Sequence, residues 1–509
     1  MRSRRRAVLV GTLIVASQVP WGTHAAARPG GDWPGLGRDA QHSAVATVTG
    51  QRPLHVRWST PVDLAPQYSG DSLLIHYGSP LVTRRNTVIV TVKTGATDGF
   101  RLEGRRGDTG ALVWSETTDY ALPPHNWVPS VGPVVARGRT VLSPGAGGTV
   151  LRRSRPDRAT GSVRRYAFYG IASYDADPAT FAATVKVTTP LTADARGNVY
   201  FGFTALAGAP LGLQSGVARL SRSGKGMWIA AAVAAGDPTI GQVPYGAAPA
   251  LSLDGRRVYV AVHASAGTSA GYLVVLDSAT LAPLGRVRLR DAKDPTLLAR
   301  LADDGTASPT VGPDGDVYFG VLPATANHLR GWMLHFSADL QTTKTPGGFG
   351  WDDTPSIVPS VAVASYAGGS PYLLLTKYND YAGAGGTGQN RMAILDPFAT
   401  MIDPISGATV MQEVLTVVGP TPDADFPANP LAVREWCINT AAVDPLTRSA
   451  FVNNEDGKLY RWDLDTGTLA DEVVLTPGLG EAYTPTLIGP DGTIYAINNA
   501  TLFAVDEGP

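Results

Sequence analysis

A short repeated signal, whose first six copies are 50 to 60 residues apart, constrains the fold of this chain more than any other feature. The signal consists of a small residue, a proline, an apolar pair, a polar turn and then an alternating strand. Seven copies carry the proline and an eighth has a threonine there, at Pro80, Pro133, Pro190, Pro249, Pro309, Pro359, Thr440 and Pro485. Each interval accommodates four strands with ordinary loops. The repeats therefore predict an all-β, eight-bladed β-propeller, with seven blades as the alternative.

Turn residues separate the strands within each repeat. In the fifth repeat, Thr310-Val311 leads through the turn Pro313-Asp314-Gly315 to Val317-Tyr318-Phe319. Asp and Gly supply the backbone angles that tight hairpins need. The chain has 58 Gly and 39 Pro but only one Cys. This composition indicates a turn-rich β protein without intramolecular disulfides.

The two ends of the chain complement each other. The last repeat contains only three strands before the chain ends. The segment His55–Thr60 matches the fourth strand of the first repeat, Ala111–Glu116. Pairing this segment with the last repeat would remove two exposed strand edges. We therefore predict a single domain over residues 28–509, in which an N-terminal strand near residues 55–62 completes the last blade.

The first 27 residues have the layout of a secretory signal peptide. Basic residues at Arg2 and Arg4 to Arg6 precede an apolar run from Ala7 to Ala16, and small residues cluster at Ala25 to Ala27. We expect a secreted, extracellular monomer, with general secretion and twin-arginine export both open. The apolar run is too short for a membrane span. No basic stripe typical of nucleic-acid binding is apparent in the sequence.

Several motifs together resemble the PQQ-like propeller family. They are the turn Asp465-Thr466-Gly467, the tryptophans of the fourth strands, and the leader Asp32–Asp39 followed by Gln41-His42-Ser43. The resemblance covers nearly the whole mature chain and implies the propeller fold. The family includes quinoprotein dehydrogenases and scaffolds without a cofactor. Quinoproteins usually place a disulfide between adjacent cysteines over the cofactor, whereas Cys437 is alone, and no match to their calcium ligands is seen. We therefore expect no cofactor and leave calcium open.

The loops before the innermost strands are the predicted site, because loops on a rigid scaffold share one face around the axis. They are rich in aromatic, charged and histidine residues, which suit an extracellular saccharide or another small ligand. The candidate ligand-binding residues are Trp127, Tyr245, Trp351, Asp352, Asp353, Glu435, Trp436 and Glu481, with Lys377 and Asn379 from the long loop of the sixth repeat.

Three functions remain open on this evidence. The preferred one is saccharide binding without turnover. A polysaccharide lyase is next, with His76 or His125 as the base, Arg434 as the carboxylate clamp, and Tyr77 or Tyr483 as the proton donor. A glycosidase would instead use two carboxylates, such as Asp353 and Glu481. A PQQ-dependent dehydrogenase is the third alternative, and no residues are predicted to bind a metal.

Overall fold

The computed structural model describes residues 30–70, 72–137, 140–264, 267–480 and 483–509. The predicted signal peptide, residues 1–27, and the predicted ligand-binding residue Glu481 lie outside the described residues. Within them, eight antiparallel sheets of four or five strands follow one another along the chain. The predicted eight-bladed β-propeller is therefore confirmed.

The strands of the first four blades follow the closing strand and a short hairpin. The closing strand is β1 (His55–Pro61), and the hairpin is β2 (Tyr68–Ser69) and β3 (Ser72–Leu73). Blade 1 is β4 (Leu81–Val82), β5 (Thr87–Lys93), β6 (Phe100–Arg106) and β7 (Leu112–Thr118). Blade 2 is β8 (Val134–Ala136), β9 (Thr140–Pro144), β10 (Thr149–Ser154) and β11 (Val163–Ala167). Blade 3 is β12 (Val185–Val187), β13 (Thr192–Ala193), β14 (Val199–Ala205), β15 (Gly216–Leu220) and β16 (Gly226–Ala230). Blade 4 is β17 (Ala250–Leu251), β18 (Arg257–His263), β19 (Thr268–Asp277), β20 (Pro283–Arg288) and β21 (Arg300–Ala302).

The remaining four blades have four strands each. Blade 5 is β22 (Thr310–Val311), β23 (Val317–Val321), β24 (Trp332–Phe336) and β25 (Thr343–Gly347). Blade 6 is β26 (Ser356–Pro359), β27 (Tyr372–Lys377), β28 (Arg391–Ile402) and β29 (Thr409–Val418). Blade 7 is β30 (Ala442–Asp444), β31 (Ser449–Asn453), β32 (Lys458–Asp463) and β33 (Thr468–Val474). Blade 8 is β34 (Leu487–Ile488), β35 (Ile494–Asn498) and β36 (Thr501–Asp506), followed in space by β1.

Helices are few and short. They are α1 (Ile171–Ala176), α2 (Pro178–Thr184) and α3 (Ala231–Ala235), with single 3₁₀ turns at Ala146–Gly148, Pro210–Gly212, Ser360–Ala362 and Ala382–Ala384. No helix among the described residues has the length and apolar character needed to cross a bilayer.

Ring closure follows the predicted pairing. β1 lies antiparallel to β36, with His55 opposite Asp506 and Pro61 opposite Thr501. Trp58 of β1 donates its indole N–H to the carbonyl oxygen of Gly107 in blade 1, at 2.8 Å. Trp114, at the matching position of blade 1, donates in the same way to Pro156 of blade 2, at 2.6 Å. The closing strand therefore makes the same contact with the next blade as an ordinary fourth strand.

The sixth repeat differs from its predicted register. Pro359 is the last residue of β26 rather than the residue before it. The proline that precedes this strand is Pro355, after Thr354, whose hydroxyl accepts a hydrogen bond from the Ser308 N–H at 2.9 Å. The long segment between the sixth and seventh repeats, from Thr400 to Trp436, has no counterpart in the repeat pattern and reads as an insertion, but it is partly regular, because residues 409–418 form the outermost strand of this blade. Pro359, four residues after Pro355, fits the same local pattern, and for this reason the start of the innermost strand was predicted too late in the chain.

The leader, residues 32–51, crosses the face on which the innermost strands end, which we call the lower face. Trp33 pairs with Val82 of blade 1. Backbone carbonyls of the leader then accept hydrogen bonds from the innermost strands of blades 2, 4, 5, 6 and 7, at Val135, Leu251, Val311, Ile357 and Val443. Trp33, His42 and Ala44 are buried. The leader therefore closes the axis and joins most of the blades. A bowl of about 960 Å³ remains on this face.

Candidate functional site

The opposite face, on which the innermost strands begin, is the upper face, and it carries the predicted site. Among the candidates, His76 of blade 1 reaches across the axis toward Asp352 of blade 6, with 3.7 Å between the imidazole Nε2 and a carboxylate oxygen. The ring of Trp127 stacks on His76 with centroids 5.3 Å apart. Tyr483 meets both rings edge-on, at 5.3 Å from His76 and 5.5 Å from Trp127. We call His76, Trp127, Tyr483, Asp352 and Lys377 the axial cluster.

Exposure differs within the axial cluster. His76, Asp352 and Lys377 are buried, whereas Trp127 and Tyr483 are half-buried. The Nδ1 atom of His76 is buried and has no hydrogen-bond partner among the described residues. Within the same described ranges, no ion pair to the Lys377 ammonium group is found within 4.0 Å, although its charge acts on both His76 and Asp352. Two partly exposed aromatic rings thus stand over polar groups that retain unused hydrogen-bonding capacity.

The backbone of Asp352 is strained. Its φ is +54°, in the left-handed region that non-glycine residues seldom adopt. The Asp352 carboxylate accepts hydrogen bonds from the N–H and the hydroxyl of Thr306 in blade 5, both at 2.5 Å. These contacts hold the residue in a conformation that costs about 1–3 kcal/mol, and such strain is concentrated at functional sites.

Burial shifts the protonation equilibria of the cluster. It lowers the pKa of His76 despite the nearby carboxylates of Asp352 and Asp304. Burial also opposes ionisation of Asp352, but His76, Lys377 and Thr306 outweigh it and lower the pKa of that carboxyl. Asp353, buried beside it, has its pKa raised by burial to about 7. At neutral pH the cluster therefore contains a neutral imidazole and an ionised Asp352.

Tyr77 lies beneath the axial cluster and is held in the structure of the ring. Its hydroxyl donates to Asp63 at 3.2 Å, and Asp63 also forms a buried ion pair with Lys93 at 2.9 Å. Burial, and then the Asp63 charge, raise the pKa of Tyr77 well above its ordinary value. A phenol in this state is a poor source of protons. The predicted role of Tyr77 as a proton donor remains a prediction, and its contacts are those of a structural residue.

The predicted carboxylate clamp is already surrounded by carboxylates. One guanidinium nitrogen of Arg434, Nη1, lies 3.0 Å from Asp423, 2.7 Å from Asp425 and 3.4 Å from Glu455. Glu455 belongs to a group with Glu435 and Cys437, whose potential metal-ligating atoms all lie within 4.8 Å of one another. The positive charge of Arg434 next to Glu455 disfavours a cation there. Arg434 and Glu435 thus belong to a second group of charged side chains, built around Glu455.

The remaining predicted residues have mainly structural contacts. Trp436 is fully buried and packs edge-on against Tyr460, with centroids 5.7 Å apart. Asn379 holds the Trp436 backbone through two hydrogen bonds of 3.2 Å. The His125 ring contacts the carbonyl oxygen of Pro123. Tyr245 is buried. Trp351 is partly buried, and its backbone N–H donates a hydrogen bond to the backbone carbonyl oxygen of Arg330 at 3.0 Å. The predicted role of His125 as a base and the ligand-binding roles of the other residues stay predictions.

Asp380 and Asn379, in the long loop of the sixth repeat, carry the side-chain oxygens that could ligate calcium. Both carboxylate oxygens of Asp380 accept hydrogen bonds, one from His328 at 2.6 Å and the other from the N–H and hydroxyl of Thr387 at 2.8 and 2.6 Å. The Asn379 side chain is used by Trp436. These two residues therefore do not provide a set of free oxygen ligands.

One residue that organises the site was missed in the sequence. Asn439 of blade 7 donates from its amide to the backbone and hydroxyl oxygens of Thr306, at 3.2 and 3.1 Å, and to the Asp352 carbonyl oxygen at 3.3 Å. It thereby joins blades 5, 6 and 7 at the axis. The available signal was the seventh repeat itself, in which Asn439-Thr440 stands where the other copies have a small residue and proline.

The comparisons identify proteins that share this architecture. No protein-family model and no curated protein sequence matches the chain. A europium-containing methanol dehydrogenase superposes with a TM-score of 0.53 at 10% identity, covering 92% of this chain and 90% of that one. A quinohemoprotein alcohol dehydrogenase from Comamonas testosteroni gives 0.55 at 12% identity, covering 94% and 81%. Sqt1 from Saccharomyces cerevisiae gives 0.51 at 10% identity, covering 90% and 100%. The β-propeller fold predicted from the repeats is thus confirmed, and identities this low support the fold alone.

The residues of the axial cluster do not fit PQQ. This cofactor is a planar ring system with three carboxylates, so its site needs a flat space and several cations. Here the indole of Trp127 is stacked on His76, the charges of Asp352 and Asp353 act on the ammonium group of Lys377, and the Asp304 carboxylate adds a further negative charge beside His76. The β-propeller therefore presents, at its axis, side chains that do not suit this cofactor.

Proposed function

We propose that this protein is a ligand-binding β-propeller that takes a saccharide at the axial cluster on its upper face. The observation that carries the proposal is the pair of half-buried rings, Trp127 and Tyr483, above the buried polar groups of His76, Asp352 and Lys377. Aromatic faces pack against the C–H surfaces of a sugar ring. Charged side chains beside them give directional hydrogen bonds to its hydroxyl groups.

The chemistry of the polar groups supports a ligand with both donors and acceptors. Asp352 retains an oxygen directed at His76, so it offers an acceptor to a hydroxyl group. Lys377 offers donors for a hydroxyl or a carboxylate. A sugar acid meets all three requirements: an apolar ring face, hydroxyl groups and a negative charge.

Titration calorimetry with a panel of neutral and uronic-acid oligosaccharides tests the proposal. We expect one class to bind, and Trp127→Ala to weaken that binding at least tenfold, which corresponds to about 1.4 kcal/mol. Trp228→Ala is the matched control, because Trp228 is also half-buried but lies in β16 of blade 3, away from the axis. Absence of binding throughout the panel, or equal effects of the two substitutions, would refute the axial saccharide site.

A polysaccharide lyase is the second candidate, favoured by one observation. The lowered pKa keeps His76 neutral at neutral pH, as a general base must be, and Lys377 is a cation acting on the same ring. His76 would then accept the proton next to the uronate carboxylate, and Lys377 would replace Arg434 as the group that neutralises it. A lyase forms an unsaturated product that absorbs ultraviolet light, so absence of that signal from wild-type protein supplied with uronic-acid polymers would refute the lyase.

We also propose an extracellular location. The signal-peptide layout of residues 1–27 supports it. N-terminal sequencing of the mature protein recovered from culture medium tests it, and the expected first residue lies near position 28. Recovery of full-length protein from the cytosol alone would contradict it.

A further inference from the structure

Positive charge is concentrated in one sector of the ring. Residues 137–225, which span most of blades 2 and 3, contain 13 lysines and arginines but only four aspartates and no glutamate. The whole chain is nearly balanced, with 42 basic and 43 acidic residues. The rest of the protein is therefore acidic, and the sector between positions 137 and 225 has the opposite sign.

Tertiary structure gathers part of this charge into one continuous line at the junction of blades 2 and 3. Arg152 of β10 and Arg164 of β11 are directly opposite each other across the strand pair. Arg152 donates to the backbone carbonyl of Arg222, in the turn after β15, at 2.7 Å. Gly197 lies between Arg222 and Arg137. A Cβ atom added to this glycine would be 3.6 Å from the Arg222 side chain and 3.4 Å from the Arg137 side chain. We call Arg137, Arg222, Arg152 and Arg164 the arginine track.

The arginine track is exposed and lacks acidic partners. Arg137, Arg164 and Arg222 are exposed, and Arg152 is half-buried. In the parts of the chain that the structure describes, no carboxylate lies within 4.0 Å of these four guanidinium groups, although 26 ion pairs are present elsewhere. Like charges directly opposite each other on adjacent strands are destabilising. The Arg152–Arg164 pair is thus retained at a cost to stability.

The track begins at the lower bowl and leads outward. Arg137 lines the bowl of about 960 Å³. The other two arginines of its lining, Arg38 and Arg84, are ion-paired with Asp39 and Asp32, so within the bowl Arg137 is the arginine without a carboxylate partner among the described residues. The ring of Tyr166 lies within the track, with the Arg152 guanidinium 5.9 Å from its centroid. A line of planar cations with an aromatic ring beside it matches a flexible chain carrying carboxylate or sulfate groups, because guanidinium binds both in a bidentate way.

We propose that the arginine track is a second binding site, separate from the axial cluster, for an anionic polysaccharide. The linear arrangement favours a polymer over a small anion. The turns that surround it, residues 155–162 and 221–225, contain no aromatic or large aliphatic side chain, whereas membrane-surface segments combine basic residues with apolar ones. The site would hold the protein on an acidic polymer while the upper face stays open.

Binding to dextran, carboxymethyl dextran and anionic phospholipid vesicles tests the proposal. We expect carboxymethyl dextran to bind, unmodified dextran not to bind, and binding to weaken steeply with added salt, because the attraction is electrostatic. The triple variant Arg137→Gln/Arg164→Gln/Arg222→Gln should weaken binding at least tenfold. It leaves Arg152, which supports the backbone of the neighbouring turn, unchanged.

A matched variant controls for overall charge. Arg256→Gln/Arg290→Gln/Arg448→Gln removes the same charge from blades 4 and 7 and should change binding less than twofold. Equal losses in the two triple variants would refute a local site. Stronger binding to the vesicles than to carboxymethyl dextran would overturn the proposal and identify a membrane surface as the ligand. If the protein self-associates and only the track variant abolishes this, the ligand of the arginine track is a second copy of this chain and not a polysaccharide.

Two further measurements separate this proposal from the axial site. Trp127→Ala should keep full binding to carboxymethyl dextran, and the track variant should keep any oligosaccharide binding at the axis. The track variant should also melt at or slightly above the wild-type temperature, because it removes the Arg152–Arg164 repulsion. A substantially lower melting temperature would show that these arginines serve the fold instead.

Discussion

The buried ion pair between Lys93 and Asp63 provides a quantitative test of ring closure. Asp63 follows the closing strand β1, and Lys93 is the last residue of β5 in blade 1. Both side chains are almost fully buried, with exposed fractions of 1% and 0%, and the Lys93 ammonium group also donates to the Ala65 carbonyl oxygen at 2.7 Å. The pair thus attaches the exit of the closing strand to blade 1.

Replacing Lys93 by methionine leaves the Asp63 carboxylate buried without its cation. Removing one partner of a buried ion pair costs about 3–5 kcal/mol. Replacing both partners by neutral side chains is far less harmful, since neither charge then remains uncompensated. We therefore expect Lys93→Met to lose about 3–5 kcal/mol of the free energy of unfolding, and Asp63→Asn/Lys93→Met to recover much of that loss.

Urea denaturation, with the slope m checked for constancy, measures these changes. Tyr77→Phe belongs in the same series, because it removes a hydrogen bond to a charged acceptor worth about 1.5–3 kcal/mol. It should lower stability without altering ligand binding. Two results would refute this reasoning. One is a free energy of unfolding for Lys93→Met within about 1 kcal/mol of the wild-type value. The other is a double variant that is less stable than Lys93→Met.

Three further outcomes are expected. Deleting residues 28–62 removes the outer strand of blade 8 and the leader. Because the edge of blade 8 is then exposed, we expect circular dichroism to show no cooperative melting. A truncated protein with the melting temperature of the full-length protein would exclude closure by the N-terminal strand. Burial lowers the pKa of His263 to about 4, so the unfolded chain takes up a proton below about pH 6.5 that the folded protein does not, and stability should fall by about 3 kcal/mol between pH 6.5 and 4. His263→Gln should lose correspondingly less over this range in urea titrations, and an unchanged slope would contradict the assignment. Arg434→Ala should lower the melting temperature, because it leaves Asp423 and Glu455 near each other without their cation; catalytic loss with unchanged melting would instead support the predicted clamp.

The repeats and the ends of the chain were sufficient to predict the architecture. A blade can be recognised locally, because turn residues and alternating strands lie within about 60 residues of one another. The pairing of His55–Thr60 with the last repeat was also predictable, since that segment has the pattern of a fourth strand and the last repeat has none. The sixth repeat was misplaced because two prolines, Pro355 and Pro359, satisfy the same local pattern.

The site could be predicted only in part, for a physical reason. The sequence determines which residue types precede each innermost strand, and this placed His76, Trp127, Asp352 and Tyr483 on one face. Which of these side chains meet across the axis depends on the relative positions of distant blades.

The contacts that assign roles to the other candidates were beyond the reach of the sequence. Arg434 has the residue type of a carboxylate clamp, but only the folded chain brings Asp423 and Glu455 to it. Arg137 and Arg222 likewise lie in separate repeats and form one track only because blades 2 and 3 are adjacent. Strand patterns are local properties of the chain, so the fold could be predicted from the sequence. The partners of charged side chains depend on long-range packing, so only the tertiary structure determined them.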